Sequence, residues 1–209
     1  MTATAAKRPE LDKLLRNSAI WRGGARTDVS GTYLPTGWSV LDEQLPGGGW
    51  PQGALTEVLS DASGTGEVSL FMPALATLSQ QGRWVAWINT PWVPFAPVLA
   101  ARGLNLERVL VIRPHDWGQA LWASEQLLGC AETGAVLLWA KQAEERRLRR
   151  LQLAAESGAG FSVLFRPAAH ARQSSPAALR LSLEATGRGS LVNVIKCRGR
   201  RPGRPLLVA

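Results

Sequence analysis

The chain has 209 residues, of which 45% are hydrophobic and 19% are charged, a composition typical of a globular protein and not of a disordered one. It contains no apolar run long enough for a membrane span and no apolar signal segment at the start, and its two cysteines are too few for a disulfide framework, so we expect a cytoplasmic protein. The net charge of +8 comes from residues 101–209, which carry 17 Lys/Arg and 8 Asp/Glu against 7 and 8 in residues 1–100, and this asymmetry points to an acidic partner such as nucleic acid.

The first part of the chain reads as an appendage. Residues 9–21 place apolar side chains near one helical face, which predicts an N-terminal helix that packs on the main domain or on a partner. Residues 22–37 are rich in Gly and Thr and read as a linker. We therefore divide the chain into a helix and linker at residues 1–35, a main domain at residues 36–195 and a basic tail at residues 196–209.

Strands and helices alternate through the main domain. The predicted strands cover residues 54–59, 83–89, 109–112, 135–139 and 161–165. One predicted helix begins at Glu67. Three others cover residues 92–103, 116–129 and 141–157, and Asp116 is the predicted N-cap of the helix at 116–129. Two later segments, 179–183 and 191–195, alternate as an antiparallel pair would. This order predicts an α/β three-layer sandwich around a mainly parallel central sheet.

The loop after the first predicted strand has the shape of a phosphate-binding loop without its chemistry. That motif is Gly-x-x-x-x-Gly-Lys-Ser/Thr, in which the lysine reaches the phosphates and the hydroxyl binds magnesium. If Gly66 is the second glycine, Glu67 and Val68 stand at the lysine and hydroxyl positions and Asp61 at the first glycine. In the alternative register, Gly66 falls at the lysine position and Glu67 at the hydroxyl position. Neither register supplies a cation, so the loop is either a plain strand-to-helix turn or, as its context favours, a degenerate phosphate loop.

The order of elements over residues 36–200 resembles the RecA-like ATPase core. Within that superfamily the chain resembles the ImuA family, the SOS-induced accessory proteins of error-prone translesion synthesis, which are distant relatives of RecA and of the cell-division inhibitor SulA. The match rests on residues 36–42, 45–51, 64–67, 84–91 and 196–200. The resemblance implies a RecA-like fold and, as partners, an ImuB-type polymerase-like protein and an ImuC error-prone polymerase. RecA and single-stranded DNA are further candidates.

Two strand ends depart from an active ATPase. RecA-like hydrolases place a water-activating carboxylate after the strand that follows the phosphate loop, and a metal-holding aspartate after the Walker-B strand. Here these strands end in Asn89-Thr90-Pro91 and in Trp139-Ala140, so neither ends in an acid. Together with the missing cation, three requirements fail at once. This favours a protein without catalytic residues and without a cofactor.

Basic and aromatic residues give the candidate contacts. The predicted tail carries five cations, Lys196, Arg198, Arg200, Arg201 and Arg204. They fit a DNA backbone, a solvated tail or a partner-docking segment. The arginines of helix 141–157 alternate with glutamates and read as a solvated face or as a surface for an acidic partner. Among nine tryptophans we select Trp50 and Trp92 as contact residues. The two histidines lack companion ligands, so no metal site is predicted.

These observations lead to one main expectation about function. We expect a cytoplasmic, non-catalytic accessory protein of SOS-induced translesion synthesis that acts through protein contacts, and through DNA contacts, in a mutasome-type complex. Two alternatives stay open. One is a weak ATPase that receives its cation from a neighbouring subunit, and the other is a SulA-like inhibitor of cell division.

Overall fold

The computed structural model describes residues 31–61 and 66–208. The predicted helix at residues 9–21 lies outside the described residues. A small antiparallel sheet joins β1 (Tyr33–Leu34) to β2 (Trp50–Pro51). The main sheet has eight strands, which are β3 (Ala54–Leu59), β4 (Trp84–Ile88), β5 (Val109–Ile112), β6 (Thr133–Trp139), β7 (Phe161–Arg166), β8 (Leu179–Thr186), β9 (Gly189–Cys197) and β10 (Leu206–Val208).

The main sheet is parallel except at one edge. Its spatial order is β10-β9-β8-β3-β7-β6-β4-β5. All neighbours from β8 to β5 are parallel, whereas β9 runs antiparallel to both β8 and β10. This confirms the predicted mainly parallel sheet with late antiparallel strands.

Five helices cover the two faces of the sheet. They are α1 (Ser39–Asp42), α2 (Met72–Gln80), α3 (Ala96–Ala101), α4 (Trp117–Leu128) and α5 (Glu145–Ser157). Buried side chains of α1, α2 and α3 pack on one face of the sheet, and those of α4 and α5 pack on the other. Because both faces are covered, all seven residues of β6 are buried, as is usual for parallel sheets.

Local capping explains two helix starts. The predicted N-cap at Asp116 is confirmed, since its Oδ1 accepts a 2.8 Å hydrogen bond from the backbone N–H of Gln119. The helix expected to begin at Glu67 begins only at Met72, after a turn and a short 3₁₀ segment at Ser69–Phe71. Pro73 fits the first turn of that helix because its missing N–H would have had no helical partner there.

Aromatic rings fill the core on the α2 face. Trp50 packs against Phe71 at 4.7 Å between ring centroids and against Phe161 at 5.9 Å. Phe165 continues the cluster towards Trp139, with which it stacks at 4.6 Å. Trp50 is completely buried. The prediction that Trp50 contacts DNA or a partner therefore does not fit the structure, because its ring is part of the core.

Both predicted domain boundaries fall inside folded structure. β9 extends through Cys197, and β10 then pairs with it, so residues 196–208 form a hairpin and not a free tail. Val208 is 6% exposed and belongs to the core. At the other end of the main domain, the strand Tyr33–Leu34 lies within the segment predicted as linker. Apolar side chains in both segments draw the backbone onto the sheet.

Candidate functional site

The carboxyl ends of the parallel strands surround a cavity of about 550 Å³. Open α/β sheets bind their ligands at this edge. The cavity is lined by Asp61 and Glu67 near the phosphate-loop region, by Asn89, Thr90 and Pro91 after β4, by Trp139, Ala140 and Lys141 at the end of β6, and by Arg166 at the end of β7. The structure therefore brings together all three places where an active RecA-like site would hold its catalytic groups.

The phosphate-loop region supplies acidic and apolar side chains to this edge. Gly64 lies outside the described residues. Gly66 adopts a left-handed φ of +88°, which favours glycine. Glu67 is 3% exposed and Val68 is 8% exposed, and Val68 belongs to the apolar core. Asp61 is exposed at the mouth of the cavity. Asp61 and Glu67 thus place two carboxyl groups on the side of the cavity where a phosphate-binding loop would place a cation.

Asn89 occupies the place of the water-activating carboxylate. Its side-chain Nδ2 donates a 2.8 Å hydrogen bond to the carbonyl oxygen of Trp139, and its backbone N–H donates to the carbonyl of Ile112 at 3.0 Å. Its φ of 58° lies in the left-handed region that asparagine tolerates better than most residues. Asn89 thus ties the ends of β4, β5 and β6 together instead of offering a base.

An aromatic cluster occupies the place of the metal-binding aspartate. The Trp139 ring stacks on Phe165 at an interplanar angle of 17° and meets Trp92 edge-on at 5.5 Å. Trp92 also meets Trp87 edge-on at 6.0 Å. Trp92 is therefore half-buried against the core, so only its outer part can serve as the predicted contact. Within the described chain, no three His, Cys, Asp or Glu side chains converge to bind a metal ion.

A buried ion triad lies beside the cavity, and the sequence analysis did not identify it. The Glu57 carboxylate accepts 2.6 Å hydrogen bonds from Nη1 of Arg166 and from Nε of Arg180. All three side chains are at most 6% exposed. The Arg180 guanidinium also donates to the backbone carbonyls of His170, Ala171 and Gln173. A signal was available, since charges inside buried strands are tolerated only when they are paired.

The triad fixes the loop that follows β7. Arg166 donates through Nη2 to the carbonyl of Ala143 and to the Gln173 side chain, both at 3.3 Å. The His170 ring lies between the Gln173 amide oxygen, at 2.9 Å, and the carbonyl of Lys141, at 3.0 Å. These bonds join the loop after β6 to the loop after β7. They give this end of the sheet a structural network of charges where an ATPase carries catalytic ones.

The predicted basic tail begins beside Arg180, with which Lys196 pairs across β8 and β9, and continues towards the amino end of the parallel strands. Lys196 donates through Nζ to the carbonyl of Ser175 at 2.8 Å, and Arg200 donates to the carbonyl of Glu43 at 2.7 Å. Arg198 faces Glu156 at 3.9 Å. Arg201 and Arg204 are exposed. The structure therefore divides the five cations into three that also fasten the hairpin and two that are free to face a partner.

Burial changes the ionisation of two side chains near this hairpin. It raises the pKa of the Cys197 thiol to about 11, with Arg200 acting weakly in the other direction. It also lowers the pKa of Lys196, and the positive charges of Arg180 and Arg198 act in the same direction. Both described cysteines are free thiols. Cys197 therefore behaves as a neutral, packed side chain at physiological pH.

The described part of the chain has no helix that is both long and apolar enough to span a bilayer. This finding concerns residues 31–61 and 66–208 only.

Comparisons with known proteins show which family the chain resembles. The family model of the RecA N-terminal domain matches residues 3–140. RecA of Bacillus subtilis (strain 168) is 32% identical over 128 residues, which cover 61% of this chain and 35% of that protein. The cell division inhibitor SulA of Edwardsiella piscicida is 32% identical over 98 residues, which cover 47% of this chain and 58% of that protein.

A solved structure is also similar. The crystal structure of SulA from Pseudomonas aeruginosa aligns with a TM-score of 0.45 at 29% identity and covers 54% of this chain and 97% of that one. The chain spans about a third of the length of the RecA proteins that it matches. Because the family model covers well over half of the 209 residues, the chain belongs to the family of the RecA N-terminal domain.

Proposed function

We propose that this protein is a non-catalytic accessory protein of SOS-induced error-prone translesion synthesis. It acts in the cytoplasm through protein contacts, within a mutasome-type complex that contains an ImuB-type polymerase-like protein and an ImuC error-prone polymerase. RecA is a further partner, and single-stranded DNA is a further ligand. The observation that carries the proposal is that Glu67, Asn89 and Trp139 line one cavity at the carboxyl edge of the sheet, where a RecA-like hydrolase would need a cation, a base and a metal ligand.

The replacements at this edge act against both binding and hydrolysis of a nucleotide. Glu67 offers a buried carboxylate where a phosphate-binding cation belongs. Asn89 uses its amide to hold the carbonyl of Trp139, and an amide does not accept a proton from water at neutral pH. The Trp139 ring stands at the position of the metal-binding aspartate and stacks on Phe165. No single substitution restores a site in which all three groups are replaced.

An exposed apolar surface supports a role in protein contacts. We call it the β5-edge surface, and it comprises Val93, Phe95, Val98 and Val111. Their exposed fractions are 72%, 67%, 48% and 44%. Val111 pairs with Trp87 across β5 and β4, and Trp87 contacts Trp92, which precedes Val93. Within the described sheet β5 is an edge strand. Clustered apolar side chains at a sheet edge are typical of an interaction surface.

Nucleotide binding is the first test. Titration calorimetry with ATP and magnesium should show no saturation up to millimolar concentrations in the wild-type protein. The double variant Glu67→Lys and Val68→Thr restores the cation and the hydroxyl, and we expect it to remain inactive in hydrolysis because Asn89 and Trp139 are unchanged. Micromolar binding by the wild-type protein would instead support the weak ATPase.

The second test concerns the partner surface. The double variant Phe95→Ser and Val98→Ser should lower damage-induced mutation frequency to the level of a deletion strain and prevent recovery of polymerase partners. The matched control is Leu207→Ser, because Leu207 is 49% exposed at the opposite edge of the sheet. Wild-type mutagenesis by the Phe95 and Val98 variant would contradict the proposal.

A SulA-like role is the second candidate function. The observation that favours it is the 32% identity to SulA of Edwardsiella piscicida, which covers 58% of that protein. Overexpression separates the two candidates. Filamentous cells with an unchanged mutation frequency would support division inhibition, whereas loss of damage-induced mutagenesis on deletion supports the accessory role.

A further inference from the structure

The outer surface of α4 and α5 combines an exposed tryptophan with a row of arginines. Trp122 on α4 is 64% exposed. Arg146, Arg149 and Arg150 on α5 are exposed, and their spacing of three and four residues places them on one side of the helix. We call these four residues the α4–α5 surface. Neither the β5-edge surface nor the predicted basic tail includes any of these four residues.

The contact between the two helices sets Trp122 at the same level as Arg146. Arg150 donates through Nη2 to the Glu125 carboxylate at 2.7 Å, which joins the helices at one level. Both helices connect parallel strands of one sheet, so they run in the same direction. Trp122 lies one turn before Glu125, and Arg146 lies one turn before Arg150. Trp122 and Arg146 are therefore at the same height on neighbouring helices.

The nearby acids leave this surface positive. Glu125 is already paired with Arg150. Glu144 lies 4.0 Å from Arg147, and Glu145 accepts a hydrogen bond from Ser174. Arg146 and Arg149 make no side-chain hydrogen bond or ion pair with another described residue. The surface thus presents free guanidinium groups to a polyanion.

We propose that the α4–α5 surface binds single-stranded nucleic acid, with the base of one nucleotide stacked on Trp122 and with phosphates held by Arg146 and Arg149. Base stacking needs only the open face of a ring. A protein hot spot is typically an aromatic side chain held in a desolvated, well-packed pocket, whereas Trp122 is 64% exposed beside side chains of a single charge sign. An exposed indole next to unpaired arginines therefore fits a nucleic acid better than an acidic protein.

The test uses fluorescence anisotropy of a labelled oligothymidylate with the full chain, at several salt concentrations. Trp122→Ala should weaken binding about tenfold, with an unchanged salt slope, because stacking does not involve counterion release. The double variant Arg146→Ala and Arg149→Ala should weaken binding and lower the slope of log K against log salt by about 1.4, which is about 0.7 for each phosphate contact. Both sites are exposed, so thermal unfolding should match that of the wild type.

The matched control is the double variant Arg172→Ala and Arg188→Ala, which removes the same charge from exposed positions outside the α4–α5 surface and outside the predicted basic tail. We expect this control to keep most of the affinity. Equal losses in the two double variants would overturn the proposal, because they would indicate a response to net charge alone. Unchanged binding by Trp122→Ala, or displacement of the DNA by polyglutamate at equal charge concentration, would overturn it in favour of an acidic protein partner. None of these outcomes depends on the β5-edge surface.

Discussion

The side-chain amide of Asn89 donates a 2.8 Å hydrogen bond to the backbone carbonyl of Trp139. These are the two residues that stand where RecA-like hydrolases carry their acids. The bond joins the carboxyl ends of β4 and β6, and the left-handed φ of Asn89 directs its backbone N–H to Ile112 on β5. These bonds hold the carboxyl edge of the sheet together.

Asn89→Ala tests this structural role. Alanine loses the hydrogen bond and also strains the left-handed backbone, so we expect the free energy of unfolding to fall by about 2–3 kcal/mol. Asn89→Gly is the matched control, because it loses the bond but tolerates the same φ, and it should lose only about 1 kcal/mol. Denaturant unfolding measures both. Equal losses in the two variants would show that the backbone conformation contributes nothing.

The Glu57 triad is expected to dominate the stability of the cavity side of the fold. Glu57→Ala leaves Arg166 and Arg180 buried without a counter-charge, and removal of one partner from a buried ion pair typically destabilises by about 3–5 kcal/mol. Glu57→Gln keeps the shape and one acceptor and should lose less, which provides a folded variant to measure. The control Glu144→Ala breaks only an exposed pair with Arg147 at 4.0 Å and should change stability by less than about 0.5 kcal/mol. Similar small effects at both glutamates would contradict this account.

The two cysteines should differ in reactivity. Cys130 is exposed, whereas Cys197 is partly buried and has a pKa raised to about 11. At pH 8 a thiol reagent should modify Cys130 rapidly and Cys197 slowly, because the thiolate is the reacting species. Mass spectrometry after timed labelling distinguishes the sites. Equal rates would contradict the burial of Cys197.

The same ionisation predicts an alkaline loss of stability. The Cys197 pKa is raised on folding, so its contribution is fully present below the ordinary thiol pKa of 9.0 and is lost as the pH rises through about 11. Burial raises the pKa of Tyr33 as well, so this residue acts in the same direction. Unfolding curves of the wild type and of Cys197→Ala should therefore converge between pH 9 and pH 11. A constant difference across this range would exclude the linkage.

Truncation at Ile195 should destabilise the whole fold. It removes β10 and the end of β9, takes Val208 out of the core, and leaves the edge of β9 at Ser190–Val192 unpaired. We expect a lower unfolding temperature and aggregation through the open edge. The double variant Arg201→Ala and Arg204→Ala removes exposed charge without cutting a strand and should unfold as the wild type does. A truncated chain of unchanged stability would restore the interpretation of these residues as a tail.

Local sequence patterns were sufficient to predict most of the strands and helices. The strands Ala54–Leu59 and Val109–Ile112 have the predicted bounds, because continuous apolar runs between turns identify buried parallel strands. Helix α5 buries Leu148, Leu151 and Ala155 as its 3.6-residue period predicts. The ends of elements were less predictable. Helix α2 begins at Met72 and not at the predicted Glu67, because residues 66–68 form a turn and Ser69–Phe71 form a 3₁₀ segment.

The sequence by itself determined the α/β class, the mainly parallel character of the sheet and the absence of an acid at residues 89–91 and 139–140, because periodicity and residue type are local properties. The tertiary structure alone decided which side chains meet. It buried Trp50 among aromatic rings, turned the basic segment into a paired hairpin, and brought Glu57 to Arg166 and Arg180 across 109 and 123 residues of chain. Such contacts depend on strand order, and strand order is set by the burial of the whole sheet and not by any one segment.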